Sequence, residues 1–371
     1  MSERRSVPTL RDVARAAGVS HMTVSRVFSG SAAVRPRTRA RVEQIAQELG
    51  YTPNGLAREL VSRSSRVVGL LASDVTNPYI GELVQAIHRV ADAESFVVTT
   101  CVTDYEVDRE LRSLDVLMQR RVAGLIVTPP NRPVSDDRIC ALAERGLPVV
   151  AAGRQLEHPR VSCIISDTRE ATYRATNHLI DLGHRRIAYI TGSPRVGLGR
   201  GKLDGYRSAL ADHGIAADPG LVVESSQSVR DGYLAMQVLL SRGPRPTAVL
   251  GVTDAVAIGA MGAIQSTGLR IPDDLSIIGF DDIPYAASVH PALTTVHQPI
   301  EELGRLAARM LFGMIRGQAE PSRAVLRCAL VVRATTGPPA TPSPRRDRSD
   351  PHPPSPRARR LDTVDVGTRL R

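Results

Sequence analysis

The sequence predicts an α/β protein in which a small all-helical head precedes a body of two doubly wound parallel-sheet subdomains. Three observations predict it. Between residues 66 and 336, near-continuous aliphatic runs alternate with helical patterns, which is how parallel sheets covered on both faces read. The strand-like runs fall into two successive sets. The net charge of +10 is confined to the ends: residues 1–66 carry +7, residues 67–336 carry −1, and residues 337–371 carry +4. A basic head on a neutral body suggests a polyanion-binding module attached to a sensor or catalytic body.

Composition narrows the class. Hydrophobic residues make up 42% of the 371-residue chain and aromatics only 3%, so the core is built from Leu, Val, Ile and Ala. No apolar run approaches a membrane span, and MSERRSVPTLRD lacks the apolar stretch of a secretory signal, so a cytoplasmic protein without membrane contact is expected. Cys101, Cys140, Cys163 and Cys328 are scattered, which reads as free core thiols rather than a disulfide frame or a metal site.

In the head (residues 1–50), Thr9-Leu10-Arg11-Asp12 forms a capping box, and Leu10, Val13, Ala14 and Ala17 follow at helical spacing. Gly18 suits a tight turn of positive φ, and Ser20 can cap a second helix over about 21–28 that turns Val24 and Val27 inward. Pro36 opens a third helix and Gly50 follows its end, with Val42, Ile45, Ala46 and Leu49 as the buried stripe. Two short helices joined this way make a helix-turn-helix, whose second helix can enter a major groove. His21, Met22 and Arg26 face outward to read bases, with Arg26 suited to a bidentate contact with guanine. Ser20, Thr23 and Ser25 are placed to hold phosphates. An ordinary three-helix bundle has the same periodicity, so spacing alone leaves both readings open.

The string LRDVARAAGVSHMTVSRVFSG resembles the head of LacI/GalR-family transcriptional regulators. The following GYTPNGLARELVSRSS (hinge, residues 51–65) resembles the family's hinge helix, which orders on operator DNA against its dimer partner. The resemblance implies that Leu60 wedges into the minor groove at the central base step, with Asn54 and Ala57 beside it at the DNA. The residues agree in part: Leu56, Ala57 and Leu60 share one face, while Gly55 and the short length leave such a helix unstable by itself.

In the body, strands are expected at 67–73, 96–102, 124–129, 148–153 and 162–167, then at 186–192, 247–253 and 275–282. Helices are expected near 79–94, 106–121, 136–145, 168–182, 203–213, 230–241, 254–267 and 299–316. No nucleophile elbow, metal-spaced His/Cys cluster or other catalytic constellation stands out, so neither an enzyme nor a bound cofactor is expected. His184 reads as structural.

SDVTNPYIGELVQAI, ATNHLIDLGHRRIAYITG, GLRIPDDLSIIGFDD, PALTTVHQP and LVVRATT resemble landmarks of the same family in the same order. The resemblance implies a periplasmic-binding-protein-like body, with two subdomains joined by three crossovers, an effector in the cleft, and a homodimer. Carried over residue by residue, it places Asn77 and Tyr79 in the loop after the first strand, Arg154 after the fourth strand and Asp167 at a crossover. It also places Lys202, where relatives usually have Arg, together with Asp254 and Asp281, at the effector. Asn77 and Asp254 equally suit helix caps. Several carboxylates with Arg and Lys fit a polyhydroxylated ligand: a sugar, a sugar acid or a nucleoside-like molecule.

VGLGRGKLDGYRSAL contains the only lysine of the chain, Lys202, after three glycines. Its order resembles a phosphate loop, but the spacing fails. Val196 stands where a P-loop needs its first Gly, Leu203 replaces the Ser/Thr that holds Mg²⁺, and Lys202 replaces the third Gly of a dinucleotide fold. A flexible loop bringing one cation to the cleft is the remaining expectation. The whole chain therefore reads as a repressor of palindromic double-stranded operator DNA gated by a small effector; a sugar-binding protein without a DNA role is the alternative. Residues 337–371, rich in Pro and Arg, read as a disordered tail.

Overall fold

The computed structural model describes residues 8–28, 33–51, 65–129, 133–192 and 197–340. Asn54, Ala57 and Leu60 of the expected hinge helix, and the tail from residue 341, lie outside these segments.

The head contains α1 (Leu10–Ala17), α2 (His21–Phe28) and α3 (Pro36–Leu49). Thr9 and Asp12 form the reciprocal capping box, and Gly18 closes α1 at φ 62°, a left-handed conformation that costs glycine nothing. The Ser20 hydroxyl accepts the Thr23 amide at 3.1 Å and so caps α2. Val13, Ala17, Val24, Val27, Val42 and Ala46 form one buried cluster, onto which the Phe28 and Tyr51 rings pack with centroids 5.7 Å apart. Arg39 donates to the Val27 carbonyl at 3.1 Å, tying α3 to the end of α2. Leu49, expected in the buried stripe, is instead 39% exposed at the last residue of α3.

The body runs β1 (Val67–Ala72), α4 (Pro78–Ala93), β2 (Val97–Val102), α5 (Val107–Gln119), β3 (Gly124–Val127), α6 (Pro133–Glu144), β4 (Val149–Ala152) and β5 (Val161–Ser166). It continues with α7 (Thr168–Asp181), β6 (Ile187–Thr191), α8 (Gly197–Asp212), β7 (Val222–Glu224), α9 (Val229–Ser241), β8 (Ala248–Gly251), α10 (Asp254–Ser266) and β9 (Ser276–Asp281). The last elements are β10 (Thr294–His297), α11 (Ile300–Ile315), β11 (Arg323–Leu326) and β12 (Ala329–Val331). The first sheet, in order β11-β5-β4-β3-β1-β2, is wholly parallel. The second, β12-β10-β9-β8-β6-β7, is parallel except for β12 against β10.

Three crossovers join the halves: β5 to α7, β10 to α11, and β11 to β12. Helix α11 thus returns to the N-terminal subdomain, where Ile300, Leu303, Ala307, Ala308, Leu311 and Phe312 pack with Val68, Leu83, Ile87 and Ile126. Helix α7 buries Ala171, Ala175, Leu179 and Ile180 in the C-terminal core. Between α7 and α8 the backbones approach so closely that a Cβ on Gly205 would lie 2.1 Å from the Arg169 carbonyl oxygen. The body extends beyond the expected boundary at 336. The Gly337 carbonyl accepts from Ser276 Oγ at 3.0 Å and contacts His184 Nε2 at 2.9 Å, while His184 Nδ1 lies 2.9 Å from Thr247 Oγ1. His184 is therefore a buried structural link between β6, β8 and the end of the body.

Candidate functional site

Strand order places one crevice in each subdomain. In the first sheet β1 lies between β2 and β3, and in the second β6 lies between β7 and β8, so the chain direction across each sheet reverses there. Ligands of doubly wound sheets bind outside the carboxyl ends of strands at such points. The two crevices face each other across a cavity of about 100 Å³. The N-terminal wall carries Ser73, Asn77, Tyr79, Ile80, Tyr105 and Pro129, all just beyond β1, β2 and β3. The C-terminal wall carries Thr168, Gly199, Lys202, Gln227, Val252, Thr253 and Asp281, and Gln298 enters from the second crossover.

Four of the expected effector residues meet here. Asn77 caps α4 by accepting the Tyr79 amide at 3.0 Å, so one side chain both starts the helix and lines the cavity. Burial pushes the Tyr79 phenol up, which keeps it a protonated donor. Lys202 is 7% exposed; its ammonium donates to the Val252 carbonyl at 2.8 Å and lies 3.5 Å from the Phe280 ring centroid. Such a cation–π contact contributes about 0.5–2 kcal/mol. Asp281 accepts from Gln298 Nε2 at 2.7 Å. Burial pushes the Asp281 carboxyl up and the Lys202 ammonium down, and their mutual attraction opposes both shifts.

Lys202 does not sit on a flexible loop. It occupies the second turn of α8, which begins at Gly197, six residues before the expected helix start. Packing overrides the poor helical propensity of its four glycines, since Gly201 and Gly205 lie against Thr168 and Arg169 at the head of α7.

The other three expected effector residues lie beside the cavity without lining it. Arg154 is fully buried. Its guanidinium pairs with Glu110 and Asp136 and donates to Ser135 Oγ at 3.1 Å and the Thr128 carbonyl at 3.4 Å. Asp167 accepts the Cys328 amide at 2.6 Å and pairs with Arg174 at 3.2 Å, which clamps the first crossover to the third. Asp254 accepts the Ile283 amide at 2.9 Å and the Thr295 hydroxyl, and burial pushes its carboxyl up to about 6. Thr253, not Asp254, caps α10, through the Val256 amide at 3.3 Å.

Sequence reasoning missed Ser73, Tyr105, Thr168, Gln227, Thr253 and Gln298. Backbone conformation marks two of them: Tyr105 at φ 61° and Gln227 at φ 71° are left-handed, as Asp281 is at φ 119°. Non-glycine residues held there cost about 1–3 kcal/mol each and gather at ligand clamps.

On the head, Met22 is 53% exposed, and His21 and Arg26 are exposed beside it on α2. Ser20 is exposed, while Thr23 and Ser25 are half-buried at the same helix.

Residues 9–54 match the model for bacterial regulatory proteins of the lacI family, and residues 176–336 match the periplasmic binding protein-like domain. The ribose operon repressor of Haemophilus influenzae is 36% identical over 318 residues, covering 86% of this chain and 95% of that protein. The chain belongs to the LacI family of bacterial regulatory proteins. It is a DNA-binding transcriptional repressor. Catabolite control protein A of Priestia megaterium is 34% identical over 82% of the repressor and 91% of that protein. Among solved structures, the lac repressor dimer bound to operator and the anti-inducer ONPF superposes with a TM-score of 0.79 at 31% identity, covering 90% of the repressor and all of that chain. The CelR–cellobiose complex gives 0.67 at 33% identity, covering 88% and 99%. No described helix of the repressor is long and apolar enough to cross a membrane.

Proposed function

We propose that the repressor binds a palindromic operator as a homodimer and that a small polyhydroxylated effector, held between the two subdomains, sets its operator affinity. The observation that carries the reading is the cavity walled by both subdomains, with Asn77, Tyr79, Lys202 and Asp281 converging on it. An effector touching both walls favours one relative placement of the subdomains over another, and operator binding alters effector affinity by the same factor. The similarity to a lac repressor dimer on its operator and to a cellobiose complex supports the same reading. Arg154, Asp167 and Asp254 support the walls instead of contacting the effector.

Binding of the full chain to its own promoter region, with and without a sugar panel at several salt concentrations, tests this. A steep salt slope, a preference for one sequence, and a shift with at least one sugar are expected. Binding without sequence preference at any salt overturns it.

On the head, Ser20, Thr23 and Ser25 set register on phosphates while His21, Met22 and Arg26 face the bases; Asn54, Ala57 and Leu60 act in the hinge. Arg26→Ala is expected to weaken the specific complex by about 10–100-fold, from a contact of about 1–3 kcal/mol, with a much smaller change on random DNA. Equal losses on both DNAs, measured by fluorescence anisotropy, would mean that Arg26 only holds phosphate.

A further inference from the structure

We infer that the effector is an uncharged polyhydroxylated molecule, and that phosphorylated sugars and sugar acids are selected against because the one cation among the described cavity residues is already held by a carbonyl and an aromatic ring and is matched by one acidic residue. The inference rests on the cleft being the effector site. Among the described residues lining the cavity, Lys202 is the only cation and Asp281 the only anion. The Lys202 ammonium is committed on three sides: to the Val252 carbonyl at 2.8 Å, to the Phe280 ring at 3.5 Å, and to the field of Asp281 and Asp254. A phosphate or carboxylate entering here meets the acidic Asp281 side chain and has to strip Lys202 from its partners.

No guanidinium fork takes over that task at the described walls. Arg154 is sealed against Glu110 and Asp136, and Arg174, near the first crossover, is held by Asp167 and the Cys328 carbonyl. Planar bidentate donors suit anionic oxygens best, and a lysine already held by a carbonyl and a ring does not replace them. The remaining polar groups suit neutral hydroxyls. Asp281 accepts, Asn77 and Gln298 both donate and accept, and the Tyr79 and Tyr105 phenols stay protonated because burial pushes both up. Ile80, Pro129 and Val252 add apolar patches for the C–H faces of a ring.

Matched pairs test the charge class directly: ribose with ribose 5-phosphate, glucose with glucose 6-phosphate and with glucuronate, cellobiose with cellobionate, and adenosine with its monophosphate. Each is titrated calorimetrically into the full chain. Every neutral member that binds is expected to bind at least tenfold tighter than its anionic partner. An anionic partner that binds as tightly or more tightly overturns the inference and leaves the cleft reading intact. No binding by any member overturns the cleft reading, and the charge class with it. Asp281→Asn, which frees the Lys202 charge, is expected to lower the neutral-to-anionic affinity ratio at least tenfold; an unchanged ratio also overturns the inference. The wild-type ratios decide the matter if that variant does not fold.

Discussion

Replacing Arg154 with methionine is expected to cost about 3–5 kcal/mol of stability while changing effector affinity less than about threefold. The guanidinium is fully buried and neutralises Glu110, which is only 2% exposed, as well as Asp136. One Glu110 carboxylate oxygen, Oε2, already has no hydrogen-bond partner, so removing the arginine leaves a buried charge with nothing to offset its desolvation. Urea unfolding measures the cost. The double variant Arg154→Met with Glu110→Gln should recover part of it, because the unpaired charge is then gone. If Arg154→Met is instead within about 1 kcal/mol of wild type and loses effector binding, the arginine serves the ligand, as the family resemblance implies, and not the wall.

Asp254→Asn is expected to change how stability depends on pH. In the folded protein burial pushes the Asp254 carboxyl up to about 6, against an ordinary value of 3.8. The folded state therefore holds this proton more tightly than the unfolded chain. The resulting stabilisation is complete below about pH 3.8 and is lost as pH rises through about 6, an amount on the order of 3 kcal/mol. Asparagine keeps an acceptor for the Ile283 amide and can donate to Thr295, but it carries no charge to desolvate. The stability of wild type relative to the variant should fall between pH 4 and 6 and level off above. The variant also relieves Asp281 of the push from the Asp254 charge, which lowers the Asp281 carboxyl in the variant and adds to the difference in the same pH range. A difference that stays flat across pH 4–7 by urea unfolding would mean that Asp254 is not held up by burial.

Much of the fold was legible because the central strands are aliphatic and buried. The expected runs at 124–129 and 148–153 contain β3 and β4, whose residues are all buried. What escaped is what sits at the edges. β7, β11 and β12 are three or four residues long and half exposed, so they lack the apolar run that marks a strand. β10 reads TTVH, with two threonines buried by tertiary contact alone. The start of α8 was hidden for the reason already given: glycines weaken a helix in isolation, but here they let it press against α7. At the site, the family pattern led to Asn77, Tyr79, Lys202 and Asp281. It could not show that the Arg154 donors are satisfied within its own subdomain, because Glu110 and Asp136 are 44 and 18 residues away. Tyr105 and Gln227 are invisible for a related reason, since a left-handed backbone at a tyrosine or glutamine has no residue signature.

The passage of α11 back into the first subdomain governs the order in which the chain can mature. Strands β1 to β5 are complete at Ser166, yet one face of their sheet is closed by Leu303, Ala307, Leu311 and Phe312, and its last edge by Arg323–Leu326. At roughly 5–20 residues per second of synthesis, the first half waits about 8–32 s for these pieces while the second half is being made. During that interval Val68, Ile126 and Val150 have only the Leu83, Ile87 and Ala91 side of their cover, from α4, and lack the part that α11 supplies. A message truncated after residue 290 therefore yields a product damaged in both halves: the second sheet loses β10 and β12, and the amino-terminal half, though all of β1 to β5 is present, loses α11 and β11, so the DNA-reading head is carried by a body that cannot close.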